Sequence, residues 1–333
     1  MDKKEIIKKI EKLRGSKVIT YITSDRPGPV NARIAGDVIP IISHQLRQIG
    51  KVESIDLFLY STGGDTMVPW RLVSMIREYC DKFSVLIPYK AHSAATMISL
   101  GADEIVMTDL SEISPIDPST ANVFNPEDPN NPKNKIPISV EDVMAYFDLA
   151  KTKFGITNEA ELTKIFNKFV ESNPQIHPLA LGNINRTHNL IRKLAERLLK
   201  SHKEKLSDVE VKNIVDDFTE KLYSHQYFVG RKEAKEDLGV KTVVEAPQDL
   251  ADAITELYEE YKKEMGLGFN TWNPEMELGN NFQTKKDYKI ASIDSEKLEN
   301  HFELSLEFKK GQVNTPQGTQ EQVSWRVVEQ GWK

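Results

Sequence analysis

Apolar residues along this chain recur with two spacings, and the switching between them sets out the architecture. Ile6, Ile7, Ile10 and Leu13 share one face of a helix over Lys3 to Leu13, because residues three and four apart lie on one side of a helical turn. Val18 to Ile22 is a β-branched and aromatic run that predicts a strand. Asp25 to Pro29 is rich in turn formers and reads as a loop. Asp37 to Ile49 returns to helical spacing and stops at Gly50. A strand over Ser54 to Tyr60 follows, then Val68, Leu72, Met75, Ile76 and Tyr79 at helical spacing. Ser84 to Pro88 predicts a short strand, Ala91 to Leu100 a helix of small and apolar residues, and Glu104 to Met107 a further strand. Strands alternating with helices in this way form a mostly parallel sheet covered by helices, an α/β fold.

The pattern then loosens. Asn125 to Lys135 is rich in Pro and Asn without apolar periodicity and reads as a loop. Val140 to Phe154 is helical, with Val143, Met144, Phe147 and Ala150 on one face. Ile184, Ile191, Leu194 and Leu198 form the apolar stripe of another helix, whose opposite side carries Arg186, Arg192, Lys193, Arg197 and Lys200. That basic side is a solvated helix face or a contact for an anionic partner. Val211 to Tyr223 and Asp249 to Glu264 read as helices. Between them, Lys232 to Leu238 is a short helix ended by Gly239, and Val240 to Val244 a strand. Beyond Gly266 the composition shifts to Asn, Gln, Thr and Trp, with weak alternation at His301 to Phe308 and Val323 to Val328. These features divide the chain into a main domain, 1–265, and a C-terminal appendage of β character, 266–333.

Composition narrows the classes. The chain has 333 residues, 39% hydrophobic and 28% charged, enough for a sizeable core beneath a charged surface. A formal net charge of -6 argues against non-specific binding to nucleic acid or to anionic membranes. The single cysteine, Cys80, falls in a stretch of helical spacing and reads as a structural thiol. The charged N-terminal residues do not resemble a signal peptide. No run approaches the roughly 18 apolar residues of a membrane span. The expectation is a soluble, cytoplasmic protein, with peripheral membrane contact still compatible.

Two short motifs carry the candidate chemistry. Gly63-Gly64 sits between a strand and a helix, where backbone N–H groups are open to a ligand and can bind a developing oxyanion. Lys90-Ala91-His92-Ser93-Ala94-Ala95-Thr96-Met97 places a serine among small neighbours at the next strand-to-helix junction. Each has a plainer reading alone: a diglycine turn, and a serine N-cap. They occupy equivalent positions after consecutive parallel strands, so their loops lie side by side at the carboxyl edge of the sheet, where such sheets bind ligands.

Four ordered segments carry a family resemblance. These are Ser61-Thr62-Gly63-Gly64-Asp65, His92-Ser93-Ala94-Ala95-Thr96-Met97-Ile98, Gly101-Ala102-Asp103-Glu104-Ile105-Val106-Met107 and Ser114-Pro115-Ile116-Asp117-Pro118. Together they resemble the serine dehydrogenase proteinase family of the Clp/crotonase clan, over Leu13 to Val244. The clan includes the Clp proteolytic subunit and the signal peptide peptidase A enzymes. The resemblance implies a Clp/crotonase-like fold, Ser93 as nucleophile, oxyanion donors from Gly63 or Gly64 and Ala94, and assembly into homotrimers or hexamers. Two positions depart from the family pattern: Ala95 and Ser114 stand where glycine is usual.

A serine nucleophile needs a base to take its proton. The clan uses histidine at a position matching Asp117, or a lysine before the next helix, where Lys133 and Lys135 lie. His225, ahead of Glu233-Ala234, is a further candidate. His92 adjoins Ser93 along the chain and so points away from it, while His177 and His188 read as structural. No metal-binding or dinucleotide-binding motif occurs, so no cofactor is implied. The reading is a serine peptidase acting on peptide or protein substrates. The alternatives are an idle Clp-fold scaffold and a crotonase-type acyl-CoA enzyme.

Overall fold

The computed structural model describes the chain apart from residues 1, 117–118, 121–123, 129–130, 137, 173–176, 223, 225–226, 270 and 316–317. In chain order the first part runs α1 (Lys3–Arg14), β1 (Lys17–Thr23), α2 (Val38–Ile49), β2 (Val52–Tyr60), α3 (Val68–Arg77), β3 (Cys80–Ile87), β4 (Lys90–Ala91), α4 (Ala94–Leu100), β5 (Glu104–Met107) and β6 (Glu112–Ile113). Short strands β7 (Ser119–Thr120), β8 (Glu127–Asp128), β9 (Asn131–Lys135) and β10 (Ile138–Ser139) lead into helices α5 (Val140–Asp148), α6 (Glu159–Ser172), α7 (Pro178–Leu199) and α8 (Asp208–Asp216). Next come β11 (Val229–Gly230), α9 (Arg231–Glu236), β12 (Val243–Glu245), α10 (Gln248–Met265), α11 (Pro274–Leu278), β13 (Gln283–Asp294), β14 (Glu299–Thr315) and β15 (Gly318–Trp332).

One sheet of eight strands organises these elements, in the order β12-β5-β3-β2-β1-β13-β14-β15. The first five strands are mutually parallel, and β13, β14 and β15 continue the sheet antiparallel from β1. Alternation along each parallel strand supplies two cores, because successive side chains point to opposite faces. Ile55, Leu57 and Leu59 of β2 pack with Ile42, Leu72, Ile98 and Leu198 beneath α2, α3, α4 and α7. Phe58 and Tyr60 of the same strand face α1 and α10, among Ile7, Leu257 and Tyr261. Burial on both faces explains why these strands read as near-continuous apolar runs. Each fully buried Leu or Phe contributes about 1.5–3 kcal/mol. A third cluster, Val30, Leu278, Leu304, Leu306 and Phe308, lies under the C-terminal strands.

The structure revises several sequence expectations. Cys80 opens β3 instead of lying in a helix. It is partly exposed, and burial of its surroundings pushes its thiol up to about 11. The helix expected from Ala91 begins at Ala94, because Lys90–Ala91 form a strand. Within the stretch read as a loop from Asn125 to Lys135, β8 and β9 pair antiparallel. Residues 283–332 supply three strands to the central sheet. The apolar stripe of α7 is satisfied within the chain: Ile191, Leu194 and Leu198 sit in the main core. Its basic side is largely engaged as well. Arg192 meets Asp216 and Glu220, Lys200 meets Asp208, and Arg197 lies over the Trp70 ring. Among the described residues, no helix is long and apolar enough to cross a membrane.

Candidate active site

The carboxyl ends of β2 and β3 bring the two motifs together. Ser61 and Ala91 form a parallel bridge: the Ser61 amide donates to Lys90 O at 2.9 Å, and the His92 amide to Ser61 O at 3.0 Å. Two residues beyond each bridge partner stand Gly63 and Ser93. A Cβ on Gly63 would lie 2.8 Å from Ser93 Cβ and 2.9 Å from His92 O, so the approach requires a bare backbone. Gly64 is more constrained still. At φ 155° its added Cβ would lie 2.1 Å from Ile34 O. The loop is clamped there, since the Ile34 amide donates to Gly63 O at 2.9 Å and the Asp65 amide to Ile34 O at 2.8 Å.

Hydroxyls brace the same turn from beneath. Thr23 Oγ1 donates to Ser61 Oγ at 2.8 Å, and Ser61 Oγ accepts the Gly63 amide at 3.1 Å. The Gly63 N–H is therefore engaged. Among the described residues, no hydrogen-bond acceptor meets the Gly64 or Ala94 amide, and no partner meets the Ser93 hydroxyl.

Ser93 itself has φ 50° and ψ -111° and is the one non-glycine residue with positive φ among the described residues. Such a conformation costs about 1–3 kcal/mol and persists only where its surroundings enforce it. It stands at the sharp bend from β4 into α4 and is partly exposed. Ala95 follows with its methyl fully buried in the main core.

The remaining candidates fall in different places. His92 Nε2 lies 2.9 Å from Glu112 Oε1 on β6. Burial holds the Glu112 carboxyl above its ordinary range, against the pull of Lys90. Lys135 ends β9 and donates to Glu127 Oε1 at 3.1 Å. Lys133 shares that strand. Asp117 and His225 lie outside the described residues. Their flanking strands are described, however: β11 pairs antiparallel with β6 through Val229 and Ile113, and β6 pairs with β4, which leads to Ser93. His177 caps α7 through Nδ1, which accepts the Leu179 amide, and half-buried His188 sits 3.7 Å from Glu220. Among the described residues, no cluster of His, Cys, Asp and Glu could hold a metal ion.

Two features escaped the sequence reading. Ser114 Oγ accepts the Ser93 amide at 2.9 Å. Asp25 receives Lys90 Nζ at 3.0 Å, the Tyr60 hydroxyl at 2.7 Å and the Gly268 amide at 2.8 Å. It thereby ties the segment after α10 to the strand that delivers Ser93. Its carboxyl, although buried, is held below the usual range by these donors.

The sequence of the part that carries this site matches a known family. Residues 1–159 match the ClpP-like SDH-type serine proteinases, and the motif resemblance holds for that part of the chain, which contains Gly63, Gly64 and Ser93. Two uncharacterized proteins of Methanocaldococcus jannaschii are similar over a longer span. MJ1495 is 22% identical over 271 residues, 80% of this chain and 78% of that protein. MJ0137 is 23% identical over 268 residues, 79% and 80% respectively. Among solved structures, a mutant of the 1510-N membrane-bound stomatin-specific protease is 16% identical with a TM-score of 0.39, covering 76% of this chain and 87% of that one. ClpP1 from Listeria monocytogenes is 15% identical with a TM-score of 0.37, covering 74% and 97%.

Proposed function

We propose that this protein is a serine peptidase with Ser93 as nucleophile and the Gly64 and Ala94 amides as oxyanion donors. One observation carries the reading: Ser93 holds a strained, positive-φ conformation against a bare Gly63, and among the described residues the Gly64 and Ala94 amides meet no acceptor. In the reaction, Ser93 Oγ attacks the substrate carbonyl as a base takes its proton. The carbonyl oxygen gains negative charge between the two N–H groups, which stabilise it because they are already oriented. Collapse expels the amine, which takes a proton from the same base, and water then hydrolyses the acyl-enzyme. His225 and Lys135 are the candidates for the base, with Asp117 as an orienting carboxylate. Lys135, tied to Glu127, needs to leave that carboxylate first. A crotonase-type reaction has no use for the Ser93 hydroxyl at this bend, and an idle scaffold has no need of the strain. The match to a serine proteinase family supports peptide substrates, and self-association into trimers or hexamers belongs to the same proposal. Because the α7 stripe is internal, assembly uses other surfaces, and light scattering across concentrations measures it.

The test is covalent labelling. A serine-directed phosphonate is expected to modify the wild-type chain at Ser93, located by mass spectrometry of the labelled peptide. Modification at another serine, with Ser93 untouched, overturns the assignment.

A further inference from the structure

We infer that Ser114 is a positioning residue for the nucleophile, an inference that rests on the peptidase reading of Ser93. The motif resemblance would place glycine where Ser114 stands. In the structure that extra hydroxyl has a defined task. It is nearly fully buried, at 3% exposure, and its Oγ accepts the Ser93 amide at 2.9 Å. Its own proton is directed elsewhere, to Pro115 O at 3.0 Å. A hydroxyl that donates in one direction presents its lone pairs in the other, so its role toward Ser93 is acceptor alone.

The contact is part of a closed set. The Ser114 amide donates to Thr96 Oγ1 at 3.0 Å, and Thr96 Oγ1 donates to Ala91 O at 2.7 Å. The set joins three points: the end of β4, the first turn of α4, and the start of the segment leading from β6. Ser93 lies between the first two. With its amide held on Ser114 and its carbonyl accepting the Met97 amide at 3.0 Å, its peptide groups are fixed on both sides. Relaxation of the positive φ requires rotation of the amide away from Ser114. The same contact sets the spacing between Ser93 and the Ser114-Pro115-Ile116 segment, which continues to Asp117. A glycine at 114 offers no such acceptor, so this chain secures its bend with a side chain.

The experiment compares Ser114→Ala, Ser114→Thr and wild type in the full-length chain. It reads two quantities: amide hydrogen exchange at Ser93, and the rate of phosphonate labelling there. In Ser114→Ala the Ser93 amide is expected to exchange at least ten-fold faster. Labelling is expected to slow at least ten-fold, and peptide cleavage to lose kcat with KM little changed. Ser114→Thr keeps the hydroxyl and is expected to restore most of both, which mere packing would not do. Unchanged exchange in Ser114→Ala overturns the contact. Faster exchange with full labelling overturns the positioning role. So does equal impairment of the Ala and Thr variants. A wild-type chain that never labels at Ser93 refutes the peptidase reading and with it the positioning role, while the exchange ratio still reports whether the contact exists.

Discussion

The two ends of the same parallel strands are built on opposite principles. At the amino ends, charges meet charges. Arg14 spans Asp56 and Glu104, Lys82 joins Glu104, and Arg77 grips Asp103 with both terminal nitrogens at 3.0 and 3.1 Å. Asp103 also accepts the Phe83 and Lys203 amides. At the carboxyl ends stand bare glycine, small side chains and a strained serine, and among the described residues two N–H groups and one hydroxyl there have no partner. The first arrangement pairs its charges with one another. In the proposed peptidase, the second holds donors in place for a substrate. The contrast teaches that a strained edge needs a rigid opposite edge, because strain at one end of a strand survives only where the rest is fixed.

Substitutions can break or sharpen this contrast, and the largest effect belongs to Ser93→Ala. Cleavage is expected to fall by up to about a million-fold, with a stability change of about 1 kcal/mol or less, the scale of a lost cap. Steady-state kinetics and thermal melting check the two halves. Retained cleavage would remove the functional meaning of the carboxyl edge.

Loss of the base comes next, at about 10²–10⁴-fold. Lys135→Ala and His225→Ala are assayed side by side across pH. If His225 acts, activity in the wild type rises around the ordinary histidine value of about 6.5. If Lys135 acts, Glu127→Gln increases activity by releasing its ammonium group. Full activity in both alanine variants directs attention to Asp117 and Lys133.

Gly64→Ala keeps the N–H but displaces it, because its methyl would meet Ile34 O at 2.1 Å; the melting temperature is expected to fall, and activity by up to about 10²–10³-fold, the cost of one misplaced oxyanion donor. Gly155→Ala is the control. It also sits at positive φ, 67°, but nothing lies within 4 Å of an added Cβ, so about 1 kcal/mol of stability is lost and no activity.

The smallest effect concerns the amino edge. Burial alone would raise the Asp103 carboxyl, but Arg77 and two amides bring it below its ordinary range. A lowered folded-state value contributes stability that is fully present above the unfolded value of about 3.9 and is lost as pH falls through the folded one. Asp103→Asn is expected to cost about 2 kcal/mol at neutral pH and to flatten the acid limb of a denaturation series, while leaving phosphonate labelling intact. A steep acid limb in that variant would assign the pH dependence to other carboxylates.

The parallel strands were legible because burial on two faces leaves little room for polar residues, as Leu57 with Phe58 and Val85 with Leu86 illustrate. The C-terminal strands were less legible. β13 carries Lys285, Lys286 and Lys289 among its alternating positions, and its partner β1 is distant in sequence. Cys80 was misplaced because apolar spacing continues from α3 into β3 with no breaker between them. At the site, Gly63, Gly64 and Ser93 were legible because a bend is written in consecutive residues. Ser114 was not, since its acceptor role appears only when a residue 21 positions away is folded against it. The base is harder still: a titrating partner is defined by what surrounds it in space.

The pairing of β1 with β13 has a temporal side. Ile22 finds Ser292 only after 270 more residues have been joined, and Asp25 waits almost as long for Gly268. At a synthesis rate of about 5–20 residues per second, the free edge of β1 stays uncovered for on the order of tens of seconds. During that interval the nascent chain presents an unpaired strand to its surroundings, and the anchor beside Lys90 is incomplete. These late strands therefore close the fold and finish the support of Ser93 in one event, so a chain still in synthesis carries Ser93 without the full frame that holds it.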